Sequence, residues 1–261
     1  PAVLEKSIKN ATARNMNPKQ DFDVVIIGAS FSGLTLAHHL PKHLRVLVVD
    51  AKPEAGSTVE STGLITSKTY DEFKAFFDID SYITNQISSI CVVAPNFKDY
   101  FVSTVDQPWI YQTDTKALVK KLADTVPQNV EVRMRTVMTG VGSSERIVLI
   151  KTQGKDIEEI QTKFLVGADG SHSKVAVSTN LSQNTKFLFG YEKVYFGDVH
   201  LGDNPEETIY HFWFGEFSLG YGGWLSPTIV DGKKAFRIGL AKNEHERGKA
   251  NELLDKFTHR L

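Results

Sequence analysis

The chain has 261 residues, 41% hydrophobic and 23% charged, enough to bury a sizeable core in one large domain or two small ones. Lysine plus arginine (30) nearly balance aspartate plus glutamate (31), which excludes a global field of the kind that draws nucleic acid or an anionic membrane. The single cysteine, Cys91, excludes an internal disulfide and leans the expected location toward the cytoplasm. No apolar run approaches the roughly 18 residues that span a bilayer, so any membrane contact is expected to be peripheral.

Residues 1–20 are polar, with Lys6, Lys9, Arg14 and Lys19 against Glu5, and read as a flexible tail. Val24 to Ile27 is an unbroken β-branched run, as in a parallel strand covered on both faces, and Arg45 to Asp50 is a second such strand. Between them Gly28-Ala29-Ser30-Phe31-Ser32-Gly33 opens an apolar helix through Leu34, Leu36, Ala37 and Leu40. A glycine turn of this kind aims the first N–H groups of the helix at a phosphate, with the helix dipole adding partial positive charge. Asp50, closing the second strand, stands where a ribose hydroxyl needs an acceptor. A bound dinucleotide is the implied ligand, although Ser30 replaces the usual second glycine.

After a loop rich in small residues, Thr69 and Glu72 have the spacing of a capping box, and Phe73, Phe76 and Phe77 extend a short helix. Residues 87–113 read as three strands around Cys91, whose neighbours make it a core thiol. Thr113 or Asp114 can cap a helix with Ala117, Leu118, Leu122 and Ala123 on one side and lysines on the other. Three strands follow, the first (residues 130–141) with a bend and the last running into Gly167-Ala168-Asp169-Gly170. That second turn adds backbone donors and a carboxylate at the sheet edge, and two such turns suit a long cofactor. From Phe187 the chain reads as a larger β region, closed by an amphipathic helix from about Ala250. Tyr210, Phe212, Trp213, Phe214, Phe217, Tyr221 and Trp224 either wall an apolar cavity or pack a sheet. His200 and His211 are conceivable proton donors or ordinary satisfied histidines.

Gly28 to Gly33, Asp50 and the Gly167-to-Val175 stretch together resemble the FAD-dependent oxidoreductases of the para-hydroxybenzoate hydroxylase type, and within them the geranylgeranyl reductase family. The resemblance runs from about Phe22 to the end. Ser61-Thr62-Gly63 is similar to the family's turn near the flavin, with Ser61 in place of a cysteine, which removes any thiol role there. Gly220 to Pro227, followed by Gly239-Leu240-Ala241, resembles the family's box lining the substrate cavity. Here the tyrosine lies one position early, Ser226 stands for phenylalanine and Ala241 for the last glycine, so the substrate stays open. Thr115 occupies the place of an arginine that contacts the cofactor, and the family's Gly-Asp motif is not found after Gly239. The chain is therefore expected to be C-terminally truncated.

The resemblance implies an α/β fold: a Rossmann-like FAD-binding domain (residues 21–80 and 112–180) interleaved with an antiparallel β-sheet substrate domain (81–111 and 181–261). By the glycine-turn chemistry and the resemblance, Gly28, Ser30, Phe31, Ser32 and Gly33 cradle the pyrophosphate and Asp50 accepts from the ribose. The resemblance further puts Ala51, Lys52 and Val137 at the adenine, Asp169 and Gly170 near the phosphates or ribose, Thr62 and Gly63 near the flavin, and Tyr221 and Trp224 at the substrate. No metal ligand set and no catalytic acid are assigned. The implied activity is FAD-dependent reduction of the C=C bonds of an isoprenoid or other lipid substrate, with NAD(P)H or ferredoxin as electron donor. The alternatives are an FAD-dependent aromatic monooxygenase, or a nucleotide-binding remnant without turnover.

Overall fold

In the computed structural model, residues 20–59, 61–142, 144, 146–197, 209–218, 220–230, 232–243 and 248–261 are described. Residues 1–19 of the expected N-terminal tail and His200 lie outside them, while Gln20, the last residue expected in the tail, opens the first strand. Along the chain run β1 (Gln20–Ile27), α1 (Phe31–His39), β2 (Val46–Val49), β3 (Leu64–Thr66), α2 (Ser67–Lys74), β4 (Ile83–Ile87), β5 (Ser89–Val93), β6 (Tyr100–Thr104) and β7 (Ile110–Thr113). They continue with α3 (Thr115–Asp124), β8 (Val130–Arg133), β9 (Thr136–Val141), β10 (Ile147–Thr152), β11 (Ile157–Gly167) and α4 (Lys174–Ser178). The last are β12 (Leu188–Phe196), β13 (Ile209–Trp213), β14 (Gly222–Val230), β15 (Lys233–Asn243) and α5 (Ala250–Thr258).

The chain forms two compact units, Pro1–Val59 with Lys116–Thr185, and Glu60–Thr115 with Lys186–Leu261. Residues 60–80, grouped by sequence with the nucleotide fold, fall in the second unit because β3 pairs β7 antiparallel beside β4. The first unit is a six-stranded sheet in the order β8-β2-β1-β11-β10-β9. Its β8, β2, β1 and β11 are parallel, while β10 and β9 run antiparallel at one edge. All four β2 residues and Val24–Ile27 are buried, as the unbroken β-branched runs require. The expected bend in residues 130–141 separates β8 from β9, with Arg135 in the left-handed region at φ 53°.

The second unit holds a six-stranded sheet, β12-β15-β14-β13-β5-β6, and the three-stranded sheet β3-β7-β4. Alternation sorts the large sheet into two faces. Cys91, Val93, Ile209, Trp213, Leu225, Phe236, Ile238 and Leu240 form one apolar core with Leu253, Leu254 and Phe257 of α5. The intervening residues, among them Tyr210, Phe212, Trp224, Arg237 and Glu192, lie on the opposite face. The interleaved α/β architecture is thus the one expected. One helix start differs: α2 begins at Ser67 with Thr66 as its cap, whose hydroxyl accepts from the Thr69 N–H, so Thr69 sits in the first turn instead of capping it. A three-residue strand directly ahead of the helix fixes that earlier start.

His211 is fully buried on the α5 side of the large sheet, next to Cys91 in the parallel pairing, and neither ring nitrogen has a hydrogen-bond partner. Burial lowers its pKa to about 4. The unfolded chain takes up a proton near pH 6.5, whereas the folded protein resists until about pH 4, so stability falls as the pH drops through this window. The loss should approach ~3 kcal/mol below pH 4. Urea unfolding at pH 7 and pH 5 should show it, and His211→Leu should flatten this part of the pH dependence.

Candidate functional site

The first glycine turn is stitched to both neighbouring strands. Gly28 N–H donates to Val49 O (2.8 Å) and Ala168 N–H to Ile27 O (2.8 Å), so the ends of β2, β1 and β11 are locked side by side. Gly28 has φ 114°, and a Cβ there would lie 2.2 Å from Ala168 O. The two turns singled out in the sequence therefore touch, and glycine is required by conformation and by space. Gly33 is confined likewise, since its Cβ would fall 2.0 Å from Gly28 O. Ser30, by contrast, has an extended backbone (φ −126°) that any residue adopts, which explains why serine is tolerated where the motif has its second glycine. Its hydroxyl makes no capping hydrogen bond, and the N–H groups of Ser32 and Gly33 have no intrahelical acceptor. Phe31 is half-buried and Ser32 exposed in this first turn of α1.

Asp50 closes the turn from the next strand. One carboxylate oxygen accepts from Ala29 N–H (2.8 Å), the other from Lys52 N–H (2.9 Å), with Lys52 Nζ 3.7 Å away. Each oxygen has a second lone pair, so acceptor capacity remains for a hydroxyl. Backbone bonds from Thr136 N to Asp50 O and Arg135 N to Lys52 O (both 2.8 Å) bring the start of β9 to this segment. Val137, 39% exposed, is thereby set beside Asp50, Lys52 and the exposed Ala51.

Asp169 is committed to its own loop. It accepts from Ser173 Oγ (2.6 Å), Lys174 N (2.6 Å) and Val175 N (3.1 Å), holding the start of α4. Gly170 beside it is exposed, with φ 85° and open space where a Cβ would be. The ADP half of a dinucleotide fits this arrangement: confined glycines, unengaged first-turn donors and an acidic acceptor on the adjoining strand.

Within the second unit, Thr62 and Gly63 are organised by Gln112, which carries no signal in the sequence, and by Thr113 and Thr115 in a packing role the sequence does not indicate. Gln112, fully buried, donates to Thr62 O (3.0 Å) and accepts from Ser226 Oγ (2.9 Å). Gly63 has φ 74°; its carbonyl accepts from Thr113 N (2.8 Å) and Oγ1 (3.0 Å), and a Cβ would meet Thr115 Oγ1 at 2.6 Å. Thr115 is thus a packing partner of Gly63, joined to Thr113 Oγ1 at 3.0 Å.

The aromatic set divides between the two sheet faces. Trp213 and Phe217 belong to the α5-side core, where Phe217 stacks on Phe257 at 4.2 Å. Tyr210, Phe212 and Trp224 occupy the other face, and Tyr221 is 42% exposed just ahead of β14. His211 shares the core face with Trp213, so of the two histidines considered as proton donors the described one points away from the Trp224 face. Trp224 lies over a glycine floor: a Cβ on Gly239 would meet its ring at 2.3 Å and one on Gly190 at 3.7 Å. Its indole N–H donates to Glu192 (2.8 Å), which also pairs with Arg237 Nη1 (3.1 Å). Glu192 and Arg237 had no signal in the sequence, because β12 and β15 bring them together across 45 residues. Among the described residues no group of side chains could hold a metal ion.

The chain matches a pyridine nucleotide-disulphide oxidoreductase family over residues 22–198. It is 23% identical over 242 residues to digeranylgeranylglycerophospholipid reductase 2 of Methanosphaera stadtmanae, a match covering 89% of this chain and 60% of that protein. It is 28% identical over 178 residues to the FAD-dependent monooxygenase spyC of Aspergillus fumigatus, covering 61% and 35% respectively. In structure it is similar to a geranylgeranyl bacteriochlorophyll reductase-like protein from Thermoplasma acidophilum, with a TM-score of 0.79 at 19% identity over 92% of this chain and 62% of that one. The chain therefore spans about 60% of the length of the reductase relatives it matches.

Two substitutions test the close approaches. Gly28→Ala should force the two turns apart and destabilise the protein by more than about 1 kcal/mol in chemical denaturation. Gly239→Ala should lift Trp224 from its floor, costing ~1–3 kcal/mol by overpacking and shifting tryptophan emission to longer wavelength.

Proposed function

The chain belongs to the pyridine nucleotide-disulphide oxidoreductase family, and from that premise we propose that it is an FAD-dependent oxidoreductase that reduces carbon–carbon double bonds of an isoprenoid chain. The observation that carries the FAD assignment is the cradle at the ends of β1, β2 and β11, where Gly28 and Gly33 admit no side chain and Asp50 stands on the adjoining strand. The isoprenoid assignment is supported by extent: the digeranylgeranylglycerophospholipid reductase match covers 89% of the chain, the spyC monooxygenase match 61%.

In this reading reduced FAD, when bound, would supply a hydride to one alkene carbon, and water or a side chain a proton to the other. The protein's residues bind and orient. Ser30, Phe31, Ser32 and the flanking Gly28 and Gly33 present the first turn of α1 to the pyrophosphate, where the helix dipole favours negative charge. Asp50 accepts from the ribose with the capacity left over from Ala29 and Lys52. Ala51, Lys52 and Val137 flank the adenine. Asp169 shapes its loop so that Gly170 leaves room beside the phosphates. Within the second unit Thr62 and Gly63 are assigned to the flavin, positioned by Gln112 and Thr113, and Tyr221 and Trp224 to the substrate. The aromatic face bearing half-buried Phe212 and buried Trp224 is assigned to an apolar chain and would keep water from it. No helix among the described residues is long and apolar enough to cross a membrane. The electron donor in this reading is NAD(P)H or ferredoxin.

The second reading, a monooxygenase, is favoured by the similarity to spyC. Protein carrying this chain should purify yellow with bound FAD, and Asp50→Ala should weaken FAD binding about tenfold, the effect of losing one hydrogen bond to a charged group. Anaerobic reduction followed by addition of a prenyl substrate should return oxidised flavin and saturated product. Turnover that requires dioxygen and yields a hydroxylated aromatic replaces the reductase reading with the monooxygenase, and a colourless protein removes both.

A further inference from the structure

The Thr62–Gly63 turn is tied to β14 through the side chain of Gln112. This residue is fully buried on β7, and its amide reaches two segments far from it in sequence: Nε2 donates to Thr62 O (3.0 Å) across 50 residues, and Oε1 accepts from Ser226 Oγ (2.9 Å) across 114. A peptide carbonyl only accepts, so the NH2 end of the amide must face Thr62 and the oxygen end Ser226. Buried Ser226 therefore orients the amide, and the amide holds the carbonyl. The bond is this chain's own, because Ser226 stands where the resemblance places a phenylalanine, whose ring has no hydroxyl to donate. Ser226 is also next to Trp224 along the same face of β14, so the turn is held to the strand that carries the indole.

What Gln112 holds is a peptide with two available orientations. The Thr62–Gly63 peptide turns over through ψ of Thr62 and φ of Gly63, and glycine accepts either sign of φ. Here Gly63 has φ 74°, its N–H donates to Ser61 Oγ (3.1 Å), and the Thr62 carbonyl points at Gln112. On the far side the Gly63 carbonyl is already fixed by Thr113 N and Oγ1, so the peptide ahead of it is the part left to Gln112. Turned over, that peptide would strand the buried Nε2 without its acceptor, which disfavours the reversed orientation by roughly tenfold. The choice decides whether a group beside the turn meets a carbonyl acceptor or an N–H donor. Hydrogen bonds and dipoles beside a flavin tune its electronics.

Resting on the assignment of Thr62 and Gly63 to the flavin, we infer that Gln112, oriented by Ser226, is a positioning residue that selects one orientation of the Thr62–Gly63 peptide and thereby sets the electronic environment of the flavin rather than its affinity. Affinity is left to the cradle of Gly28, Gly33 and Asp50 in the first unit.

The test compares Gln112→Met, Ser226→Ala and Asp50→Ala with wild type by two readouts, thermal melts confirming that each variant folds. Hydrogen exchange of the Gly63 amide, followed by NMR, needs no flavin; the second readout is the visible spectrum and dissociation constant of bound FAD. Gln112→Met should speed Gly63 exchange by about tenfold and shift the flavin absorption bands, with FAD affinity kept within about threefold of wild type. Ser226→Ala should move both in the same direction by less. Asp50→Ala should do the opposite, weakening FAD by about tenfold with the bands of wild type. Gln112→Glu covers the case in which Gln112→Met does not fold. Its carboxyl would face the uncharged Thr62 carbonyl and Ser226 hydroxyl, and burial raises its pKa; protonated, it keeps both hydrogen bonds, so the bands should match wild type at low pH and depart from them as the pH rises through that pKa. The inference is overturned if Gly63 exchange is unmoved, if exchange quickens while the bands stay those of wild type, or if FAD affinity falls with the bands unchanged. In each of these cases a yellow wild type leaves the flavoenzyme reading standing. A colourless wild type sinks that reading and this inference with it.

Discussion

At Gly28 two turns from distant parts of the chain come so close that a methyl group would sit 2.2 Å from the Ala168 carbonyl oxygen. The first unit depends on that approach. It lets Ala168 N–H reach Ile27 O and Gly28 N–H reach Val49 O, which holds three parallel strand ends level with one another. Asp50 then closes the turn through Ala29 N–H, and Thr136 and Arg135 draw β9 onto the same segment. Hydrogen bonds from both sides hold the backbone of this turn still, the condition under which the phosphate-binding role proposed for it would work.

The second unit uses one sheet for two purposes. On one face Trp213, Phe217 and Phe257 pack with aliphatic residues into a dry core, and even His211 is kept neutral by burial. The other face keeps aromatic area but spends its polar groups sparingly. Glu192 satisfies Trp224 and Arg237 together, and Gln112 ties Thr62 to Ser226. The Trp224 indole, Glu192 and Gln112 each find a partner and orient the rings and turns around them, whereas Arg237 Nε is buried without one.

Much of the first unit was legible in the sequence because its signals are local. The β-branched runs of β1 and β2, the glycine turn and the apolar stripe of α1 are all short-range patterns. Where a local signal competed with pairing, pairing prevailed. The Thr69 capping box yielded to Thr66 because β3 ends there, and residues 60–80 joined the second unit because β3 pairs β7. The seven aromatics could not be sorted from composition, since Trp213 and Trp224 differ only in which side of the strand they occupy. Gln112, Glu192 and Arg237 gave no signal, because a polar residue in a strand looks alike whether it faces water or a buried partner.

The amino-acid sequence by itself determined the α/β class, the glycine turn with its acidic partner, and the β-rich second half, since these follow from periodicity and from residue types that few other conformations accept. Only the tertiary structure decided that Gly28 is required by contact with Ala168, that Ser30 is tolerated because its backbone is extended, and that Asp169 holds its own helix start. It also decided which aromatic rings pack against α5 and which lie on the opposite face of the sheet. Each of these depends on strands brought into register from distant positions, and side-chain direction and partner are properties of the register rather than of the residue.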